Sequence, residues 1–241
     1  MRANVSPARG EDQTGARRLA LGGGLGLAAG VLAIALPLVF LYIATYDPGG
    51  FFALGPTFFR YLSILLLAGA ILSLLSLLLY RRSFAVLRAV DPRFRVASAL
   101  CLVGSIGFLL LVVLAAYVLG STESLASCLQ GAPSHALSCM RSNQPVGAYS
   151  GLVGFWLGWL GGLGIVLGLF FASRRFVLGT LSGGAVLYLL LLLVLVGPFL
   201  GALVTLPGAQ FLLLVAPFFA VTAPALVLAG ARRPIVAVRA G

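Results

Sequence analysis

The chain has no lysine, one histidine, three cysteines and only five acidic residues among 241 positions. Each shortage removes a class of chemistry. Without lysine, no glycine-rich phosphate loop can be completed by an ammonium group. With His135 as the single imidazole, an H-E-x-x-H metalloprotease, an intramembrane Ser–His hydrolase and a haem held by two intramembrane histidines are all excluded. No Asp, Glu, Arg or His lies in the middle of any long apolar run. Proton relays, ion-coupled carriers and voltage sensors depend on such residues. Catalysis needs titratable or metal-binding groups, so neither an enzyme nor a cofactor is expected.

What the chain has in excess is apolar character. Hydrophobic residues make up 61% of it, charged residues 9%, and mean hydropathy is +1.13. Soluble domains average about 45–50% apolar and about 25% charged residues. A chain this poor in polar groups cannot cover itself in water, so a lipid bilayer must be its solvent. The expected fold is all-α, a polytopic transmembrane helical bundle. Six runs reach the roughly 20 residues that span a hydrocarbon core: 19–45, 60–80, 96–119, 149–172, 176–206 and 208–231. They form one membrane domain, 19–231, between an N-terminal tail (1–18) and a C-terminal tail (232–241). The first run, 27 residues long, exceeds the 7–15 or so of a cleavable signal and reads as a retained anchor. The fifth is longer than a bilayer needs, and a kink at Pro198 or an early end would accommodate it.

The net charge of +11 does not indicate nucleic acid. The basic residues sit in short clusters at the ends of apolar runs, not along one face. Arg17-Arg18, Arg81-Arg82, Arg174-Arg175 and Arg232-Arg233 mark four such ends. Six spans with a cytoplasmic N-terminus place all four pairs, and Arg88, Arg93 and Arg95, on the cytoplasmic side. The outer segments then hold only Asp47, Arg60, Glu123 and Arg141. Both termini are therefore expected in the cytoplasm, and the protein in the plasma membrane. Tyr42, Tyr46, Phe51, Phe52, Phe58, Phe59 and Tyr61 gather around the first outer turn, and Tyr117 and Tyr149 flank the second. These positions suit the headgroup level.

Three features are candidates for chemistry or packing. Cys128 and Cys139 share the second outer loop with ten residues between them. An oxidising exterior permits a disulfide there, which would restrict the unfolded chain by about 3 kcal/mol. A zinc site using His135 and Glu123 lacks the usual ligand spacing. A redox pair more often shows C-x-x-C. A structural disulfide is the expectation. Cys101, among Leu and Val in the third run, reads as a small buried hydrophobe. In the fourth run Gly151, Gly154, Gly158, Gly161 and Gly168 form a stripe on one helix face. Helix packing, within the chain or between copies, is the first reading of that stripe, and a permeation or ligand groove the second. Gly22, Gly26 and Gly30 make a shorter version in the first run. Trp156 and Trp159 lie deeper than an interfacial belt and read first as bulky packing opposite the glycines, with the wall of a pocket as the alternative. Pro37, Pro198, Pro217 and Pro224 can kink their helices.

Two further patterns leave alternatives open. Arg81-Arg82 followed by Arg88 is echoed by Arg232-Arg233 followed by Arg239, as duplication or as simple repetition of orientation signals. The stretch 82–90 is either a short interfacial helix or a continuation of the second span.

The segments Gly161–Arg175 (GGLGIVLGLFFASRR), Gly183–Tyr188 (GGAVLY) and Ala216–Arg232 (APFFAVTAPALVLAGAR) carry a resemblance. They are similar to an uncharacterised family of archaeal multi-pass membrane proteins, a domain of unknown function. The resemblance covers about a third of the chain, leaves out the cysteine-bearing loop, and implies an archaeal plasma membrane without supplying any activity.

The sequence therefore leads first to a non-enzymatic structural or accessory subunit of a membrane complex. Its partners would be the lipid bilayer and either copies of itself, joined through the fourth span, or a larger complex. A permease or channel for a small uncharged solute is the alternative. An extracytoplasmic thiol-disulfide oxidoreductase using Cys128 and Cys139 is the third reading.

Overall fold

A computed structural model describes residues 7–46, 56–120, 145–196 and 209–239. The described residues form six helices and no strand. They are α1 Pro7–Tyr46, α2 Pro56–Leu87, α3 Phe94–Gly120, α4 Pro145–Phe176, α5 Gly179–Val196 and α6 Ala209–Arg239. Ser63–Leu87, Phe94–Tyr117 and Ser150–Phe176 are long and apolar enough to cross a membrane, and Gly179–Leu195 and Ala216–Arg232 are shorter apolar helices.

Each helix packs against the next in chain order, and α6 returns to α1. The result is a closed ring. Its outer surface is apolar: Val113 is 60% exposed and Phe218 66%. Only 22–39% of the three membrane-length segments is buried within the bundle. Such a surface is stable against lipid and not against water.

The helices run past the expected span limits. α1 begins at Pro7 and its 40 residues extend about 60 Å, so most of the expected N-terminal tail is helical. α2 continues through Arg81-Arg82 to Leu87, which makes stretch 82–90 a continuation of the second span and then a turn. α6 likewise runs beyond Arg232 to Arg239, through most of the expected C-terminal tail. α5 is described only to Val196, and Pro198 lies outside the described residues.

Local chemistry explains the two short turns at the arginine-rich end. Asp91 Oδ1 accepts the Arg93 N–H at 3.0 Å across Pro92, a turn that leads into α3 at Phe94. α4 ends when Leu178 N–H reaches back to the Ser173 carbonyl at 3.0 Å and Val177 takes φ 53°. That left-handed cap is usually a glycine.

Glycine sets the closest seams. A Cβ on Gly161 would stand 2.6 Å from the Gly104 Cα, and one on Gly164 would stand 2.8 Å from Leu100 Cβ and 2.9 Å from the Ala97 carbonyl oxygen. Gly154 faces the Gly107 carbonyl oxygen at 3.0 Å by the same measure. On α1, Gly22 faces the Ser76 carbonyl of α2, while Gly23 lies against Leu228 and Pro224 of α6. Serines add polar ties across α1 and α2: Ser76 Oγ donates to the Gly22 carbonyl at 2.8 Å and Ser83 Oγ to the Gly15 carbonyl at 2.7 Å.

These seams make opposite predictions for two kinds of glycine. Gly161→Val, which has no space, should destabilise the bundle by about 2–4 kcal/mol. Gly24→Ala, with nothing within 4 Å of the added methyl, should stabilise it by about 0.5–1 kcal/mol through helix propensity. Thermal unfolding of both variants in detergent checks the contrast.

Candidate functional site

The ring surrounds a partly open cavity of about 340 Å³ to which all six helices contribute. α1 supplies Gly26, Ala29 and Gly30, and α2 supplies Ser73, Ser76 and Leu77. Gly26 lies eight residues beyond Arg18 and Pro224 eight residues before Arg232. The cavity therefore begins about 12 Å from the arginine level, well inside the apolar depth.

Its two sides differ in chemistry. The α3–α4 side is aromatic, with Phe108, Phe155 and Trp159. The side near α1 carries hydroxyls. A Cβ on Gly26 would lie 3.2 Å from both Ser76 Oγ and Tyr188 Oη, so the two hydroxyls converge on one point of the α1 backbone. Pro224, on the same wall, has no N–H to return to the Ala220 carbonyl one turn earlier. That carbonyl packs against Gly30 of α1.

The arginine-rich end of the bundle is closed. Tyr188 meets Tyr80 edge to face with centroids 6.5 Å apart, Tyr80 stacks on Phe84 at 6.2 Å, Phe84 on Phe94 at 5.9 Å, and Phe94 meets Phe171 at 6.0 Å. This aromatic chain, with Leu19, Leu169, Leu181 and Val227, is the dry core. Outside it, Arg175 makes a two-toothed ion pair with Asp12, at 2.9 and 3.0 Å, tying the extension of α1 to the end of α4.

The glycines of α4 divide between two tasks. Gly154, Gly161 and Gly168 face α3 and α2 side chains or backbone within the chain, Gly151 lies 2.9 Å from a Leu114 methyl by the same measure, and Gly158 both touches Phe108 and lines the cavity. The tryptophans separate. Trp159 is in the cavity wall, its Nε1–H donating to the Leu192 carbonyl at 3.1 Å, while Trp156 is exposed on the outside. Cys101 is buried, with Sγ 3.9 Å from the Gly161 carbonyl. Cys128, Cys139, His135 and Glu123 lie outside the described residues. Among the described residues no three His, Cys, Asp or Glu side chains come together as a metal site.

Sequence reasoning did not single out Ser73, Ser76 and Tyr188. The available signal was their rarity: two serines three apart and a tyrosine deep inside otherwise aliphatic runs. No family model, curated protein or solved structure matches the chain.

Tyr80 makes a local prediction. Its side chain is fully buried, and its hydroxyl has no partner in good hydrogen-bond geometry, the Tyr188 hydroxyl lying nearby. Tyr80→Phe should therefore leave stability unchanged or raise it by about 1 kcal/mol, because an unsatisfied polar group is removed. A clear loss in melting temperature would mean that the hydroxyl is bonded in the folded protein.

Proposed function

We propose that this chain is a six-span membrane protein with both termini in the cytoplasm, which binds a small uncharged solute in its central cavity and conducts it across the plasma membrane. The observation that carries this reading is the cavity itself. Its volume of about 340 Å³ falls in the range of roughly 300–1,000 Å³ typical of ligand sites. It lies at the depth where carriers hold their substrates. Among the described residues, no carboxylate, imidazole, thiol or guanidinium lines it, which favours an uncharged solute. An aromatic wall facing convergent hydroxyls suits a molecule with an apolar body and one or a few hydroxyl groups.

The orientation rests on the arginine clusters, which an N-in arrangement gathers on one side. The archaeal family that the last three spans resemble would fit an archaeal plasma membrane.

Stopped-flow light scattering on proteoliposomes, with glycerol and propane-1,2-diol as probes, tests the proposal. The wild-type chain should raise permeability above that of protein-free vesicles. Ala29→Phe, which places a ring in the cavity, should return permeability to the protein-free level while keeping helix content. Wild-type vesicles no more permeable than empty ones would overturn the proposal in favour of an accessory subunit, whose partner would then appear in the intact-complex mass.

A further inference from the structure

A second pocket lies at the arginine-rich end, outside the ring cavity, where α3 begins and α4 ends. It has a volume of about 310 Å³ and is lined by Asp91, Arg93, Phe171, Arg174 and Arg175. Two of the membrane-length segments, Phe94–Tyr117 and Ser150–Phe176, reach their limits at this pocket. That places it at headgroup depth, where the apolar span gives way to charge.

Its charges are arranged in different ways. Arg175 is neutralised by Asp12 through the two-toothed pair. Asp91 has one oxygen engaged by the Arg93 backbone N–H. The Arg174 guanidinium lies 4.8 Å over the Phe170 ring, a contact that engages its face and not its in-plane N–H donors. Counting Asp12 with the lining residues, three guanidinium groups face two carboxylates, an excess of one positive charge. A phosphodiester carries one negative charge and accepts guanidinium hydrogen bonds in pairs. Beside the pocket, Phe170, Leu167 and Val96 are exposed on the apolar surface of the same two helices, where an acyl or isoprenoid chain can lie.

We propose that this pocket binds the phosphodiester headgroup of one anionic membrane lipid, with Arg174 and Arg93 holding the phosphate and the lipid chains lying along the outer face of α3 and α4. Basic pockets at the ends of membrane helices bind anionic headgroups in this way. Such a lipid would clamp the α3–α4 end independently of any solute in the ring cavity.

The experiment is native mass spectrometry of the full chain in micelles doped with equal amounts of phosphatidylglycerol and phosphatidylcholine. The wild-type chain should retain one phosphatidylglycerol in preference to phosphatidylcholine. Arg174→Ala and Arg93→Ala should each weaken that retention about fivefold, with Arg174→Lys intermediate. Arg82→Ala, an exposed arginine at the same end but outside the pocket, should change it little and controls for general surface charge. Equal retention of the two lipids, or equal losses from Arg174→Ala and Arg82→Ala, would overturn the proposal. Displacement of the lipid by millimolar glycerol 1-phosphate would also overturn it, by showing a site for soluble phosphate esters. Helix content measured on each variant separates loss of the site from loss of the fold.

Discussion

Inside a bilayer, apolar side chains gain nothing by leaving lipid for one another, so helices hold together where their backbones come close. Two seams come close in this way: α3–α4, with Gly104 and Gly107 against Gly154 and Gly161 and with Ala97 and Leu100 against Gly164, and α1–α6, where Gly30 meets the Ala220 backbone. Cys101 sits in the α3–α4 seam, its backbone nitrogen against Gly164 and its Sγ 3.9 Å from the Gly161 carbonyl. α1 also presents Gly22 to α2 and Gly23 to α6. Six helices joined edge to edge surround a space. At the arginine-rich end the aromatic chain from Tyr80 to Phe171 fills it. At mid-depth Gly26, Gly30, Gly158 and Gly162 have no side chain to do so, and the cavity remains. The small residues that draw the helices together thus also create the site.

Polar groups are few and most of the buried ones act between or within helices. Ser76 and Ser83, seven residues apart on one face of α2, both donate to carbonyls of α1. Ser105 donates to its own helix at the Cys101 carbonyl. Among the described residues charge lies toward the helix ends, and at the arginine-rich end Asp12 and Arg175 join two elements far apart in sequence. An uncharged interior with a charged rim is what a bilayer selects, because an unpaired ion at mid-depth costs several kcal/mol.

Hydropathy alone gave the helical class and the approximate position of every helix, because lipid demands long uninterrupted apolar runs. The helices run past the span limits that it set. Residues 7–18, 81–87 and 232–239 are polar enough to leave the span, yet they are helical, and Gly10, Gly15 and Pro234 within them do not end the helices. The α4 glycine stripe was visible by spacing, but its partner was not: Gly104 and Gly107 on α3 look like isolated glycines until the two helices are adjacent. The cavity was the least legible feature. Which side of α2 or α5 faces inward depends on the order of helices around the ring, and spans this uniformly apolar carry no amphipathic stripe to announce it. Trp156 and Trp159, three residues apart, therefore looked equivalent, although only one lines the cavity.

The central claim is that α6 closes the ring against α1, around the cavity. An ideal Cβ on Gly26 lies 3.3 Å from the Pro224 Cβ, close to the roughly 3.5–4.5 Å of a disulfide. The direct measurement is oxidative cross-linking of Gly26→Cys with Pro224→Cys in a chain whose own three cysteines are replaced by serine, read after cleavage of the α3–α4 connection. The account predicts that the two fragments stay joined until they are reduced. Fragments that separate without reductant, or cross-links that form only between chains, would show α1 and α6 apart and the ring open.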